Sequence, residues 1–116
     1  MDERIGEQSM ANIRIQIPAA LRRGEVFEVR LLIRHPMETG SRHDDVGRPI
    51  PRNVVNQLIC RYNSVEVFRA DLFPGIAANP YLAFFTTAEA SGELEVSWRD
   101  DAGVEESERV AVVVKE

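Results

Sequence analysis

The chain is poor in cysteine and histidine, and both shortages narrow what it can do. Its 116 residues hold one cysteine, Cys60, and two histidines, His35 and His43. A lone cysteine forbids an intrachain disulfide and a multi-cysteine metal knuckle. It fits a reducing compartment, and equally an oxidising one in which the thiol is buried or joined to a partner. Positive charge is also short. The formal net charge of -5 disfavours nucleic acid and anionic membrane surfaces as partners. No apolar run reaches the length of a membrane span. The opening "MDERIGEQSM" has no apolar segment of the kind a secretory signal needs, so residues 1–10 are expected to be a flexible polar tail. A helical apolar stripe, a glycine-rich phosphate loop and a G-x-S-x-G elbow are all missing.

What is present is a period of two, the signature of strands. "NIRIQIP" sets Ile13, Ile15 and Ile17 on one face. "EVFEVRLLIR" does the same with Phe27, Val29, Leu31 and Ile33, "GELEVSWR" with Leu94, Val96 and Trp98, and "RVAVVV" with Val110, Val112 and Val114. Less regular strands are expected at residues 53–62, 65–70 and 81–87. "YNS" and "RDDAG" read as turns. About seven short strands over residues 11–116 predict an all-β fold, an immunoglobulin-like antiparallel β-sandwich in one domain. No Cys…Trp…Cys spacing of the antibody type accompanies it.

The polar stretch "HPMETGSRHDDVGRPIPR", residues 35–52, has the residue density of an active-site loop. A zinc site from His35, His43 and a carboxylate is formally available, but its spacing fits no closed motif. A sandwich can also carry an iron centre of four histidines and a cysteine, as superoxide reductases do; two histidines cannot build it. Cys60 follows Leu58 and Val54 on the presumed core face, which reads as a buried structural thiol. The aspartate pairs at 44–45 and 100–101 sit in turns, where aspartate bonds local N–H groups. These residues support neither a catalytic set nor a metal or cofactor site. An alternative of another class is a small metal-dependent redox protein using His35, His43 and Cys60. A second apolar face is also visible: Val26, Leu32, Val55, Ile59, Ala111 and Val113 lie opposite the core rows, where a sandwich is ordinarily polar. With no helix to cover it, a partner subunit is the expected cover.

The segments "HPMETGSR", "IPR", "CRYN", "VFRADL", "IAANPYLAF", "SGELEVSW" and "DDAG" occur in this order. The series resembles the SoxZ family over about residues 11–114, most specifically in "HPMETG" and "AANP". Ser64 departs from the glycine usual in the "YN" turn, and Ala102 from the asparagine frequent in the "DD" turn. The resemblance implies a non-catalytic subunit that pairs with a SoxY-type subunit and docks transiently with other Sox enzymes. The sulfur intermediates of thiosulfate oxidation would ride on a cysteine of SoxY. It also implies a periplasmic protein, exported together with a signal-bearing SoxY partner. Within this frame the loop residues His35, Met37, Glu38, Thr39, Gly40 and Arg42 are the expected partner-binding set. Prolines stiffen the loop, Gly40 allows a tight turn and the charges supply specificity.

Overall fold

The computed structural model describes residues 5–10, 12–73 and 75–116. Ten strands follow one another: β1 (Ile5–Met10), β2 (Ile13–Pro18), β3 (Leu21–Arg22), β4 (Val26–Ile33), β5 (Val55–Tyr62), β6 (Val65–Asp71), β7 (Tyr81–Thr87), β8 (Gly92–Asp100), β9 (Glu105–Val112) and β10 (Val114–Lys115). They form two four-stranded antiparallel sheets, β1-β2-β4-β7 and β6-β5-β8-β9, and a two-stranded parallel clip, β10-β3. The fold is an all-β sandwich, with no helix among the described residues.

The alternating rows read from the sequence make the core. Ile13, Ile15, Ile17, Phe27, Val29, Leu31 and Ile33 come from one sheet. Leu58, Cys60, Tyr62, Leu94, Val96, Trp98, Val110 and Val112 come from the other. Side chains of period two from facing sheets interdigitate into one apolar layer, which is the main source of stability in a sandwich. The Tyr62 hydroxyl is satisfied inside it, donating to Ala90 O at 2.6 Å and accepting from Glu89 N at 3.1 Å. The β5–β6 hairpin turns through Asn63 and Ser64, both at positive φ (47° and 70°). That conformation suits asparagine and strains serine, so Ser64 carries the cost of lacking glycine.

Four expectations change. Ile5–Met10 is strand β1, paired in register with β2 from Ile5↔Pro18 to Met10↔Ile13, where a polar tail was expected. Backbone pairing asks for no apolar side chains, which is why composition concealed it. Residues 1–4 lie outside the described residues. Val55, expected on the outer face, is fully buried beside Val54. A register shift between Val55 and Gln57 in the β5–β8 ladder breaks the alternation there. Ile59 is also nearly buried, while Val26 and Val113 are exposed. Val114, expected inward, is only partly buried, because β9 ends at Val112 and the chain crosses to pair with Leu21.

Candidate functional site

The long connection from β4 to β5 meets the β8–β9 turn at one end of the sandwich. His35 extends the inward row of β4, and Asp100 extends the inward row of β8. Both are buried, and His35 Nε2 lies 2.9 Å from Asp100 Oδ2. The Met37 backbone N–H donates to His35 Nδ1 at 3.0 Å. Nδ1 is therefore the unprotonated nitrogen, and Nε2 donates to the carboxylate. The imidazole stands edge-on to Trp98, with ring centroids 5.4 Å apart and planes at 86°. Asn79 clasps the same residue from the β6–β7 connection: its Oδ1 accepts from His35 N and its N–H donates to His35 O.

Asp100 does more than hold the histidine. Its Oδ1 accepts from Ala102 N and Val104 N, each at 3.0 Å, and so shapes the turn. Burial opposes ionisation of Asp100, but the His35 and Val104 donors outweigh it and hold its carboxyl below the ordinary aspartate value. Asp101 fastens the other root of the connection. The Asn56 side-chain amide bonds it at 3.0 Å, and Val54 N and Arg52 Nε bond it at 3.1 Å. These donors, with Asn56 the strongest influence, likewise lower its pKa. The two adjacent aspartates thus pin both ends of residues 35–54.

Between those pins the connection folds back on itself. Glu38 pairs with Asn53 in both directions at 2.8 Å, and His43 bridges Pro49. Asp44 closes the tip by accepting from Val46 N and Arg48 N. Gly40 sits at φ +92°, and a Cβ there would come 3.2 Å from Arg52 Cβ, so the close approach and the backbone both select glycine. Met37 adopts φ 52°, a strained conformation for its side chain, and is held in it by His35 and by a Val55 N–H on its sulfur at 3.3 Å.

The six residues expected to bind a partner divide into two groups. His35 and Met37 are each 4% exposed and belong to the frame beneath the loop, with only an edge of Met37 reaching the groove lined by Glu38 and Arg42. They are buried because the period-two row of β4 runs on through 35 and 37. Glu38, Thr39, Gly40 and Arg42 lie at or near the surface. Arg42 makes a two-pronged contact with Glu38, Nη2 to Oε1 at 2.8 Å and Nε to Oε2 at 3.0 Å. This pair lines a shallow groove with Pro36, Met37, Thr39 and Ala78, where "HPMETG" meets "AANP".

His35, His43 and Cys60 do not assemble into a site. His35 uses both ring nitrogens, His43 is exposed in the loop, and Cys60 is wholly buried with its thiol pushed up to about 12 by burial. Among the described residues no cluster of three or more His, Cys, Asp or Glu could hold a metal ion. The sequence reading missed Asp100, Asp101, Asn79 and Trp98 as parts of this frame. The signal was available: His35 and Asp100 both fall in phase with inward rows, and two buried polar groups at one end of a core require each other.

The family described as sulphur oxidation protein SoxZ matches residues 13–111 of the chain. Comparison with curated proteins gives no match. Among solved structures, a superoxide reductase (neelaredoxin) from Ignicoccus hospitalis superposes with a TM-score of 0.69 at 18% identity, covering 90% of this chain and 81% of that one. The sulfur carrier protein SoxY from Chlorobium limicola f thiosulfatophilum superposes with a TM-score of 0.66 at 15% identity, covering 94% and 84%. At such identities these likenesses establish the shared sandwich fold.

Proposed function

We propose, since this chain belongs to the SoxZ family, that it is the non-catalytic subunit of a SoxY–SoxZ-type carrier in sulfur oxidation. The family match over residues 13–111 carries this reading. The partner is a SoxY-type subunit, which bears the sulfur intermediate of thiosulfate oxidation on its own cysteine. The buried Cys60 supports that division of labour, because a carrier sulfur must reach solvent and this one does not. The pair works in the periplasm and is exported together on the partner's signal.

Co-expression with a SoxY-type chain is expected to yield a stable 1:1 heterodimer by light scattering. Two non-interacting monomers at micromolar concentration overturn the reading.

The exposed part of the β4–β5 loop is the proposed docking surface for the enzymes that act on the carrier. Replacing Glu38 and Arg42 together by Ala removes a surface ion pair, which contributes little to stability; the melting temperature is expected to move by less than about 3 °C. Thiosulfate-dependent turnover of the reconstituted system is expected to fall at low carrier concentration and recover at high concentration, with a weakened salt dependence. Turnover unchanged at every carrier concentration removes the docking role, and a large fall in melting temperature assigns the pair to the framework.

A further inference from the structure

The four sheet edges are not alike. Edge strands expose unpaired N–H and C=O groups, and soluble proteins blunt them with charge, proline or bulges. Strand β6 has Glu66, Arg69 and Asp71 and a bulge opposite Cys60 and Arg61. Strand β9 has Glu105, Glu106, Glu108 and Arg109. Strand β1 includes Glu7. Strand β7, "YLAFFTT", has no charge and no proline, and its ladder to β4 runs without a register shift from Val26↔Thr87 to Leu32↔Tyr81. Its only sheet neighbour among the described residues is β4.

The outer face of the same strand is apolar. Tyr81 and Phe85 are 60% and 65% exposed, with Ala83 between them. On β4 the outer row opposite is mixed: Val26 and Leu32 stand at its ends, and the Glu28–Arg30 ion pair faces Phe85 and Ala83, so the exposed apolar row is that of β7 itself. This side of the sandwich is also the less filled one. Strand β6 has no fully buried residue, and Phe84 is the one buried residue of β7, stacked on Phe68 at 4.5 Å. On the opposite side β1 and β9 close the sheets against each other.

We infer that β7 is the edge onto which the partner subunit adds a strand, so that the sheet β1-β2-β4-β7 continues into the second subunit. The inference rests on the heterodimer reading above and says where that heterodimer joins. An unprotected, regular, uncharged edge selects an extended backbone as its occupant, and the aromatic row beside it supplies apolar area at the join. The solved SoxY shares this fold over 84% of its length and so has sandwich edges of its own to offer. A second copy of this chain fits less well, because each copy brings a net charge of -5 to the encounter.

The experiment uses the full chain with a co-expressed SoxY-type subunit and three variants: Phe85→Lys, Tyr81→Lys, and Val113→Lys as an exposed control at the passage from β9 to β10, where its carbonyl pairs with Leu21 and not with β7. All three positions are exposed, so the isolated variants are expected to melt close to the unaltered chain. Phe85→Lys and Tyr81→Lys are each expected to weaken the heterodimer at least tenfold by sedimentation, and Val113→Lys to leave it unchanged. Hydrogen exchange is expected to slow in alternate amides of residues 81–87 on complex formation, a pattern that strand pairing produces and side-chain contact alone does not. A heterodimer that forms with unaltered affinity in both β7 variants, or without slowed exchange in β7, overturns the inference while leaving the carrier reading intact. Failure of the unaltered chains to associate overturns the carrier reading itself. A homodimer of this chain broken by the same two substitutions overturns the choice of occupant.

Discussion

Replacing Asp100 by Ala is expected to destabilise the protein by about 3–5 kcal/mol, since several donors lose their acceptor at once and one buried donor left unsatisfied costs about 1–3 kcal/mol. The substitution leaves His35 Nε2–H without an acceptor in a buried site, and strips the turn amides of Ala102 and Val104 of theirs. Asp100→Asn separates shape from chemistry. Its amide can accept on one side only, so it meets either the imidazole N–H or the turn amides with a donor of its own, and a cost of about 1–3 kcal/mol remains. The imidazole cannot relieve the clash by changing tautomer, because Met37 N–H already occupies Nδ1. Denaturant melts of the three proteins check the order. A loss below about 1 kcal/mol for Asp100→Ala, no more than an ordinary hydrogen bond contributes, shows that the buried pair is not a framework element.

The same carboxylate shapes the acid limb of stability. Its folded pKa is depressed, so its contribution is complete above the unfolded aspartate value, near 4, and is lost as pH falls through the folded value. Asp101 behaves in the same direction for its own reasons, chiefly the Asn56 amide. Melting temperature is therefore expected to decline as pH drops below about 4, and Asp100→Asn to start lower and decline less steeply. The groove lined by Pro36, Met37, Glu38, Thr39, Arg42 and Ala78 is tied to the His35–Asp100 pair through Met37, whose backbone N–H donates to His35 Nδ1. A loosened frame is expected to disturb docking even with every surface residue intact.

The sandwich was legible because its core is written in period two. The rows 13–17, 27–33, 94–98 and 110–112 each keep one face apolar long enough to define a strand and its inward side, and the structure buries those rows. Strand β1 was not legible, since it is held by backbone pairing with β2 and its composition is polar. Val55 was misplaced because the register shift between Val55 and Gln57 breaks the alternation locally, so that Val54 and Val55 are both buried. The loop was the instructive case. Its residue types suggested a surface, and Thr39, Gly40 and Arg42 are exposed. His35 and Met37 are buried because the inward row of β4 runs on through 35 and 37, which residue type alone does not reveal. Following the row through 35 and 37, and the β8 row through Asp100, would have predicted the pair.

The thiol of Cys60 is expected to react with an aromatic disulfide reagent at pH 8 at least 10³-fold more slowly in the folded protein than after denaturation. Two effects point the same way. Burial pushes its pKa up to about 12, so the reactive thiolate at pH 8 falls to on the order of 10⁻⁴ of the population, against roughly a fifth for an ordinary cysteine. The residue also has no solvent-exposed surface, paired between Val96 and Phe68 on neighbouring strands, so reagent must wait for the sheet to open. Replacing it by Ser puts a hydroxyl in the same apolar layer and is expected to cost about 1–3 kcal/mol if no partner rotates to meet it. These values bear on the carrier reading. A sulfur that is neither ionised nor exposed cannot accept or release a sulfane or sulfonate group, so incubation of the isolated chain with thiosulfate and its oxidising enzymes is expected to leave its mass unchanged, while a SoxY-type partner in the same mixture gains the adduct. Rapid labelling of native Cys60, or a mass gain on this chain that Cys60→Ser abolishes, would move the covalent chemistry onto this subunit and end its assignment as the silent half of the pair.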